Sequence, residues 1–368
     1  MATSEHRLLY PPVKVSGPKE TRILDLLPGS WHDALAVTIQ VVSLDTSPTY
    51  KALSYVWGPS TEGRSVVMDG THGMPITDNL HRGLRRIRQE RNITTLWIDA
   101  ICINQDDVGE KSQQVAMMGD IYRTATDTIV WLGESERTSS IHLRPVFASL
   151  VSFEYYLHSW TSDIYWMVQQ YVASHSGAVQ AAAEHHEADR VPPWYSRAWT
   201  VQEFILSRNV HLYWGRAKIK YSRSTLPYDM VMVVSPGIIS KARDRCGVDV
   251  FDIKHRLNIL EAFRGSDFAG QRLLDAYNAL FTYSGLPQAT DPRDRVHSVL
   301  GLIDAEEARL IGVDYNLTCE QVSAKATFAS IKRYGDLEAL FYVQLKRPSE
   351  NRVPSWAVDF ISAKIPNW

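Results

Sequence analysis

The chain has 368 residues, a formal net charge of −2, and a composition of 45% hydrophobic and 22% charged residues; this is a globular protein long enough for one large core or two ordinary ones. No run of basic residues supplies the electrostatic footprint of nucleic-acid binding. Cys102, Cys246 and Cys319 lie far apart, which gives neither a disulfide framework nor a CxxC metal spacing and fits a reducing compartment.

The N-terminal MATSEHRLLYPP has no apolar signal core. The one long stretch free of charge, 164–183, holds too many Gln, Ser and His residues to span a membrane. A cytoplasmic protein is expected.

Thr21 to Leu27 alternates like a strand and stops at Pro28-Gly29-Ser30; Ala34 to Leu44 and Tyr50 to Trp57 follow, the last closed by Gly58-Pro59. Arg64 to Asp69 and Met74 to Ile76 predict a hairpin across Gly70–Gly73. Thr77 or Asp78 caps a helix with Leu80, Leu84 and Ile87 on one face. Its Arg82, Arg85, Arg86 and Arg88 read first as a solvated face.

Leu96, Trp97 and Ile98 form a short apolar run ending on Asp99, followed by a polar loop through Asn104-Gln105-Asp106-Asp107. A helix of about 14 residues comes next, then a β-branched strand from Thr128 to Leu132. Strand, helix and strand at this length make a βαβ unit, whose two strands are expected as parallel neighbours in a covered sheet with ligands gathering at their carboxyl ends.

Between Ser135 and Val191 the chain is aromatic and Ala-rich, which predicts one or two inserted helices. His185 and His186 stand about 100° apart on a helix and share no ligand face, so no metal is expected. Ser196 is the predicted cap of a helix reaching Ser207, and Val210 to Trp214 is a further strand. Beyond it, Asp252–Arg264, Arg272–Ser284, Asp294–Leu302 and Thr318–Arg333 read as helices. The expected organisation is an α/β core over residues 1–215, with a helical insertion at about 135–193, and a mostly helical extension over 216–368.

Three blocks carry a family resemblance: YKALSYVWG at 50–58, LWIDAICINQDDVGEKSQQVAMMGDIYRTATDTIVWLGE at 96–134, and WYSRAWTVQEFILSRNVHLYWG at 194–215. Together they resemble the HET (heterokaryon incompatibility) domain of filamentous fungi. DPRDRVHSVLGL at 291–302 and PSWAVDF at 354–360 are similar to segments that follow this domain. The resemblance implies fungal non-self recognition, an innate-immunity setting in which incompatible fusion triggers programmed cell death and the domain is the effector.

HET domains in turn look distantly like TIR domains, which implies a flavodoxin-like, mostly parallel sheet flanked by helices, here with extra N-terminal strands. Some TIR domains hydrolyse NAD with a glutamate in a Trp-Cys-x-x-Glu pattern. Trp199-Thr200-Val201-Gln202-Glu203 keeps the Trp and the Glu at that offset, with Thr200 in place of Cys. Glu203 is therefore the candidate catalytic carboxylate, and NAD or a related nucleotide the candidate substrate rather than a bound cofactor. Cleaving the nicotinamide–ribose bond develops positive charge on the ribose, and nicotinamide leaves as a neutral base, so one carboxylate suffices without a general acid.

Trp199, one helical turn away, offers a flat surface to nicotinamide. Asp99, Tyr55, Trp57, Gly58, Asn104 and Gln105 lie at strand ends and complete the candidate binding set. Each has a plainer role as well. Glu203 can pair with Arg197 or Arg208, Asp99 can cap its loop, Asn104 and Gln105 can satisfy their own backbone, and Trp57 can pack in the core. Cys102 lacks a His partner for nucleophilic work, and no GxGxxG or P-loop is present. Three functions stay open: an NAD glycohydrolase that self-associates when active, a non-enzymatic assembly module signalling death through a recognition partner, and a hydrolase of another nucleotide using Asp99 with Glu203.

Overall fold

In a computed structural model the described residues are 10–13, 19–59, 63–70, 72–134, 193–221, 260, 264, 270–281, 288–343 and 353–360. The helices expected within 135–193 and the His185-His186 pair lie outside them. Among the described residues nine strands form one sheet: β1 (Glu20–Leu26), β2 (Ala36–Ser43), β3 (Lys51–Tyr55), β4 (Ser65–Met68), β5 (His72–Pro75), β6 (Thr94–Trp97), β7 (Asp127–Trp131), β8 (Val210–Trp214) and β9 (Ala217–Tyr221). Their order is β5-β4-β2-β1-β6-β3-β7-β8-β9.

The expectation of a mostly parallel sheet needs correction, because the sheet is mixed. β6, β3, β7 and β8 run parallel to their neighbours within this group, and β2 pairs parallel with β4; β6 and β7 are parallel as expected but are not neighbours, because β3 pairs with both and lies between them. β1 pairs antiparallel with both β2 and β6, and both ends of the sheet are antiparallel pairs. The physical reason is connectivity. β1 and β2, and β8 and β9, are joined directly, and a short link cannot return the chain to a parallel start. The sheet also runs past residue 215, since β9 follows it.

Helix α1 (Asp78–Ile87) is capped by the Thr77 hydroxyl, which accepts from the Leu80 amide. It lies close against β7: a Cβ on Gly83 would stand 3.1 Å from the Trp131 ring. The arginines of α1 are not a freely solvated face. Arg85 donates to the Trp31 carbonyl, Arg88 to carbonyls of Ser30, Asp33 and Ala34, and Arg86 pairs with Glu134 at 2.7 Å. Arg85 and Arg88 clamp the loop between β1 and β2, while Arg86 ties α1 to the end of β7.

The predicted polar loop after β6 begins with one helical turn, α2 (Asp99–Cys102). The following helix is two abutting pieces, α3 (Val108–Ala116) and α4 (Met118–Thr124), broken at Met117. α4 docks on β3, where Tyr122 Oη donates to the Leu53 carbonyl at 3.2 Å and Tyr50 Oη to that of Ile121 at 2.6 Å. One buried ion pair holds the base of this region. Arg22 on β1, 1% exposed, meets Glu110 of α3 at 2.5 and 3.0 Å and also donates to the carbonyls of Pro11 and Cys102. Glu110 Oε1 further accepts from the Asn104 amide at 2.7 Å, so the two buried charges are compensated by hydrogen bonds and the loop is fixed to them.

The sheet is covered on both faces. Along β7, Ile129 and Trp131 join one apolar cluster with β1, β3, β6 and α1–α4, while Val130 joins the other, as side-chain alternation along a strand requires. The second cluster gathers α5 (Trp199–Ile205), α6 (Leu273–Phe281), α7 (Asp294–His297), α8 (Ala305–Ile311) and α9 (Cys319–Tyr334). α9 carries the Thr318 capping box expected of a well-formed start, and Gly335 ends it in the left-handed region. Ser196 does not cap α5: its hydroxyl donates to the Pro193 carbonyl in a preceding 3-10 turn, and the helix starts at Trp199 without a side-chain cap.

Candidate functional site

β3, β6 and β7 run in one direction, and the chain leaves β3 toward β6 before crossing back past β3 to β7. The carboxyl ends of β3 and β7 therefore flank a point where the strand order reverses, the place where open α/β sheets leave a crevice. Ser54 and Tyr55 close β3, Asp99 follows β6, and α5 lies in the connection from β7 to β8. These elements bring Asp99, Tyr55, Arg197 and Glu203 within electrostatic reach of one another.

Glu203 is 2% exposed. Its Oε2 accepts a hydrogen bond from the Ser54 hydroxyl, which itself accepts from Trp194 Nε1 at 2.7 Å. Burial pushes the Glu203 carboxyl up to about 7; the Arg197 guanidinium and the Ser54 hydrogen bond oppose that rise, and the Asp99 charge adds to it. The proton on Glu203 is thus poised near neutrality, a property often found at working sites.

Asp99 is half-buried, and burial also raises its carboxyl above the ordinary aspartate range, against the pull of Arg197 and its hydrogen bonds. It accepts from Trp57 Nε1 at 2.7 Å and from the Ala100 amide at 2.8 Å. The second contact is the loop cap that the sequence offers as the plainer role; the first ties Asp99 to an exposed ring. Trp57 is 37% exposed and does not pack in the core. Tyr55 is buried beside Asp99, and burial holds its phenol well above the usual value. Its hydroxyl has no hydrogen-bond partner in good geometry.

The other sequence candidates divide. Gly58 has φ +75°, so it supplies the turn after β3 that a side chain would strain. Asn104 Oδ1 accepts from the Asp106 amide, and Gln105 Nε2 donates to the Asp99 carbonyl at 3.1 Å, so both satisfy local backbone. Trp199 is buried and interacts with Asp294 of α7. Cys102 is fully buried with its thiol pushed up to about 12, which removes it as a nucleophile. Sequence reasoning missed Ser54 and Trp194 as partners of Glu203. The only local signal was a hydroxyl inside the otherwise apolar run of β3.

Among the described residues no cluster of three or more His, Cys, Asp or Glu side chains is arranged to hold a metal ion, and no helix is long and apolar enough to cross a membrane.

No solved structure matches this chain. Heterokaryon incompatibility protein 6, OR allele, of Neurospora crassa is 28% identical over 410 aligned residues, which cover 98% of this chain and 59% of that protein. The chain thus spans about 59% of the length of the curated relative it matches. Residues 50–203 match the profile of the family described as heterokaryon incompatibility protein (HET). That segment runs from the start of β3 to Glu203, so it encloses every side chain of the buried carboxylate site. Residues 50–203 are thus a segment that matches the HET family, in a chain that is similar over nearly its whole length to a heterokaryon incompatibility protein.

Proposed function

We propose that this chain is an effector of heterokaryon incompatibility, triggering cell death on non-self recognition, and that it acts by hydrolysing NAD to nicotinamide and ADP-ribose. One observation carries the chemistry: two carboxylates with raised proton affinity, Glu203 and the Asp99 that Trp57 holds, lie within electrostatic reach of each other near the carboxyl ends of parallel strands where the strand order reverses. Numbered among themselves, the parallel strands β6-β3-β7-β8 follow the order 2-1-3-4, which accords with a flavodoxin-like and TIR-like core inside the mixed sheet. In this reading ionised Glu203 stabilises the ribosyl cation, Asp99 holds ribose hydroxyls, and Trp57 stacks on a ring. Activity follows self-association.

A second reading has its own observation. Glu203 is closed in by Ser54 and Trp194 rather than lining an open cleft. A buried carboxylate of this kind also suits a non-enzymatic module that assembles and passes a death signal to a partner. Nicotinamide release from NAD by purified protein, at low and high protein concentration and beside Glu203→Gln, separates the two. Release that grows with concentration and is lost in the variant is the expected result. No release under crowded conditions, with cell death retained by Glu203→Gln, refutes the enzyme.

A further inference from the structure

The order of donors around Glu203 is chemically constrained. An indole N–H only donates, so the Trp194–Ser54 contact makes the Ser54 oxygen an acceptor. Ser54 is 1% exposed and has one hydroxyl proton, which it donates to Glu203 Oε2. Were Glu203 to carry its own proton on Oε2 and donate back, the Ser54 proton would lose its acceptor inside a buried site. The titrating proton of Glu203 therefore belongs on Oε1.

We propose that Ser54 and Trp194 are positioning residues for Glu203: Trp194 orients the Ser54 hydroxyl, and Ser54 occupies Oε2, leaving Oε1 as the oxygen that gains and loses the proton and faces the reacting ribose. The part concerning ribose rests on the NAD reading; the part concerning the proton does not. Ser54 projects from the sheet while Trp194 and Glu203 both come from the segment between β7 and β8. The contact thus spans 149 residues in sequence and fixes α5 against the strand end. The charged or titratable groups that also face Glu203 are Arg197, Asp99, Tyr55 and Tyr122, and none of them supplies this donor.

The test is the titration of Glu203 itself, followed by carboxyl carbon-13 NMR on glutamate-labelled full chain, with Glu203→Gln assigning the signal. Ser54→Ala removes a donor that favours the ionised form, so its midpoint is expected to rise by about one pH unit, a tenfold gain in proton affinity. Ser54→Thr keeps a hydroxyl and is expected to restore the wild-type midpoint. Trp194→Phe frees the hydroxyl to turn away and is expected to shift the midpoint in the same direction by less; it carries the test if Ser54→Ala does not fold. A midpoint unmoved by Ser54→Ala, or by Trp194→Phe in its place, overturns the proposal. A midpoint that moves and is restored by Ser54→Thr supports it whether or not nicotinamide is released, and absence of release then counts against the NAD reading alone. Where release is measurable, its pH profile is expected to shift with the NMR midpoint across the series.

Discussion

Replacing Glu203 by Gln should change how stability depends on pH, by an amount set by the burial of its carboxyl. The folded group titrates at about 7 and an ordinary glutamate at 4.5. Between those values the folded protein keeps a proton that the unfolded chain has released, so stability falls as pH rises through the window and stays lower above it. The difference corresponds to about 3 kcal/mol. His297 works in the opposite sense. Burial pushes it down from 6.5 to about 4, so below pH 6.5 the unfolded chain takes up a proton that the folded one refuses. Stability is then lost as pH drops from 6.5 to 4, also by about 3 kcal/mol.

In the wild type these two slopes nearly cancel between pH 4.5 and 6.5, and a flat profile would hide both. Glu203→Gln removes one of them. Its stability should climb from pH 4 to 6.5 and level off, and its advantage over wild type should grow by about 3 kcal/mol between pH 4.5 and 7.5. Any constant offset from the new amide drops out of that comparison. Thermal or urea unfolding of both proteins across this range is the assay. A difference between them that does not change with pH refutes the assigned proton affinity.

Asp99→Asn removes a charge that raises Glu203; the Glu203 midpoint should fall, opposite to Ser54→Ala, and carboxyl NMR reads the direction. Gly83→Ala gains about 1 kcal/mol of helix propensity. However, its Cβ meets the Trp131 ring, which is buried and anchored by Nε1 donating to Asn79 Oδ1 at 2.9 Å. A net loss of about 1–2 kcal/mol is expected in urea unfolding, and a stabilised variant would show that α1 yields easily. Glu110→Ala leaves Arg22 buried without its carboxylate and should cost about 3–5 kcal/mol. A melting temperature within a degree of wild type would mean that the carbonyls of Pro11 and Cys102 alone satisfy that guanidinium.

Much of the framework was legible locally. β1, β3, β7 and α1 follow apolar periodicities that the sequence displays directly, and Thr77 and Thr318 announce the helices they cap. The common direction of β6 and β7 was legible from the helices between them, but the insertion of β3 between those strands and the antiparallel place of β1 between β2 and β6 were not, because alternation of side chains is the same in parallel and antiparallel pairs. The break at Met117 carries no Gly or Pro to mark it. Helix α8 was overlooked although Asp304 accepts from the amides of Glu306 and Glu307 as its cap. At the site, Asp99 and Glu203 were visible as acids at a strand end and in a helical block. The Ser54 and Trp194 contacts were not visible, since no local pattern encodes a hydrogen bond spanning 149 residues.

Among the described residues β5 and β9 are the outer strands of the sheet, and they bear on how copies of this protein could meet. A free strand edge is a template on which another chain can extend the ladder. β5 is four residues long and ends on Pro75, which has no amide hydrogen to offer, and β9 presents exposed Lys218 and Lys220. Short length, proline and lysine are the features that discourage stacking of one sheet onto the next. An assembly of this protein would then be built from faces and loops and remain dissolvable, whereas growth strand upon strand would lead toward an irreversible fibre.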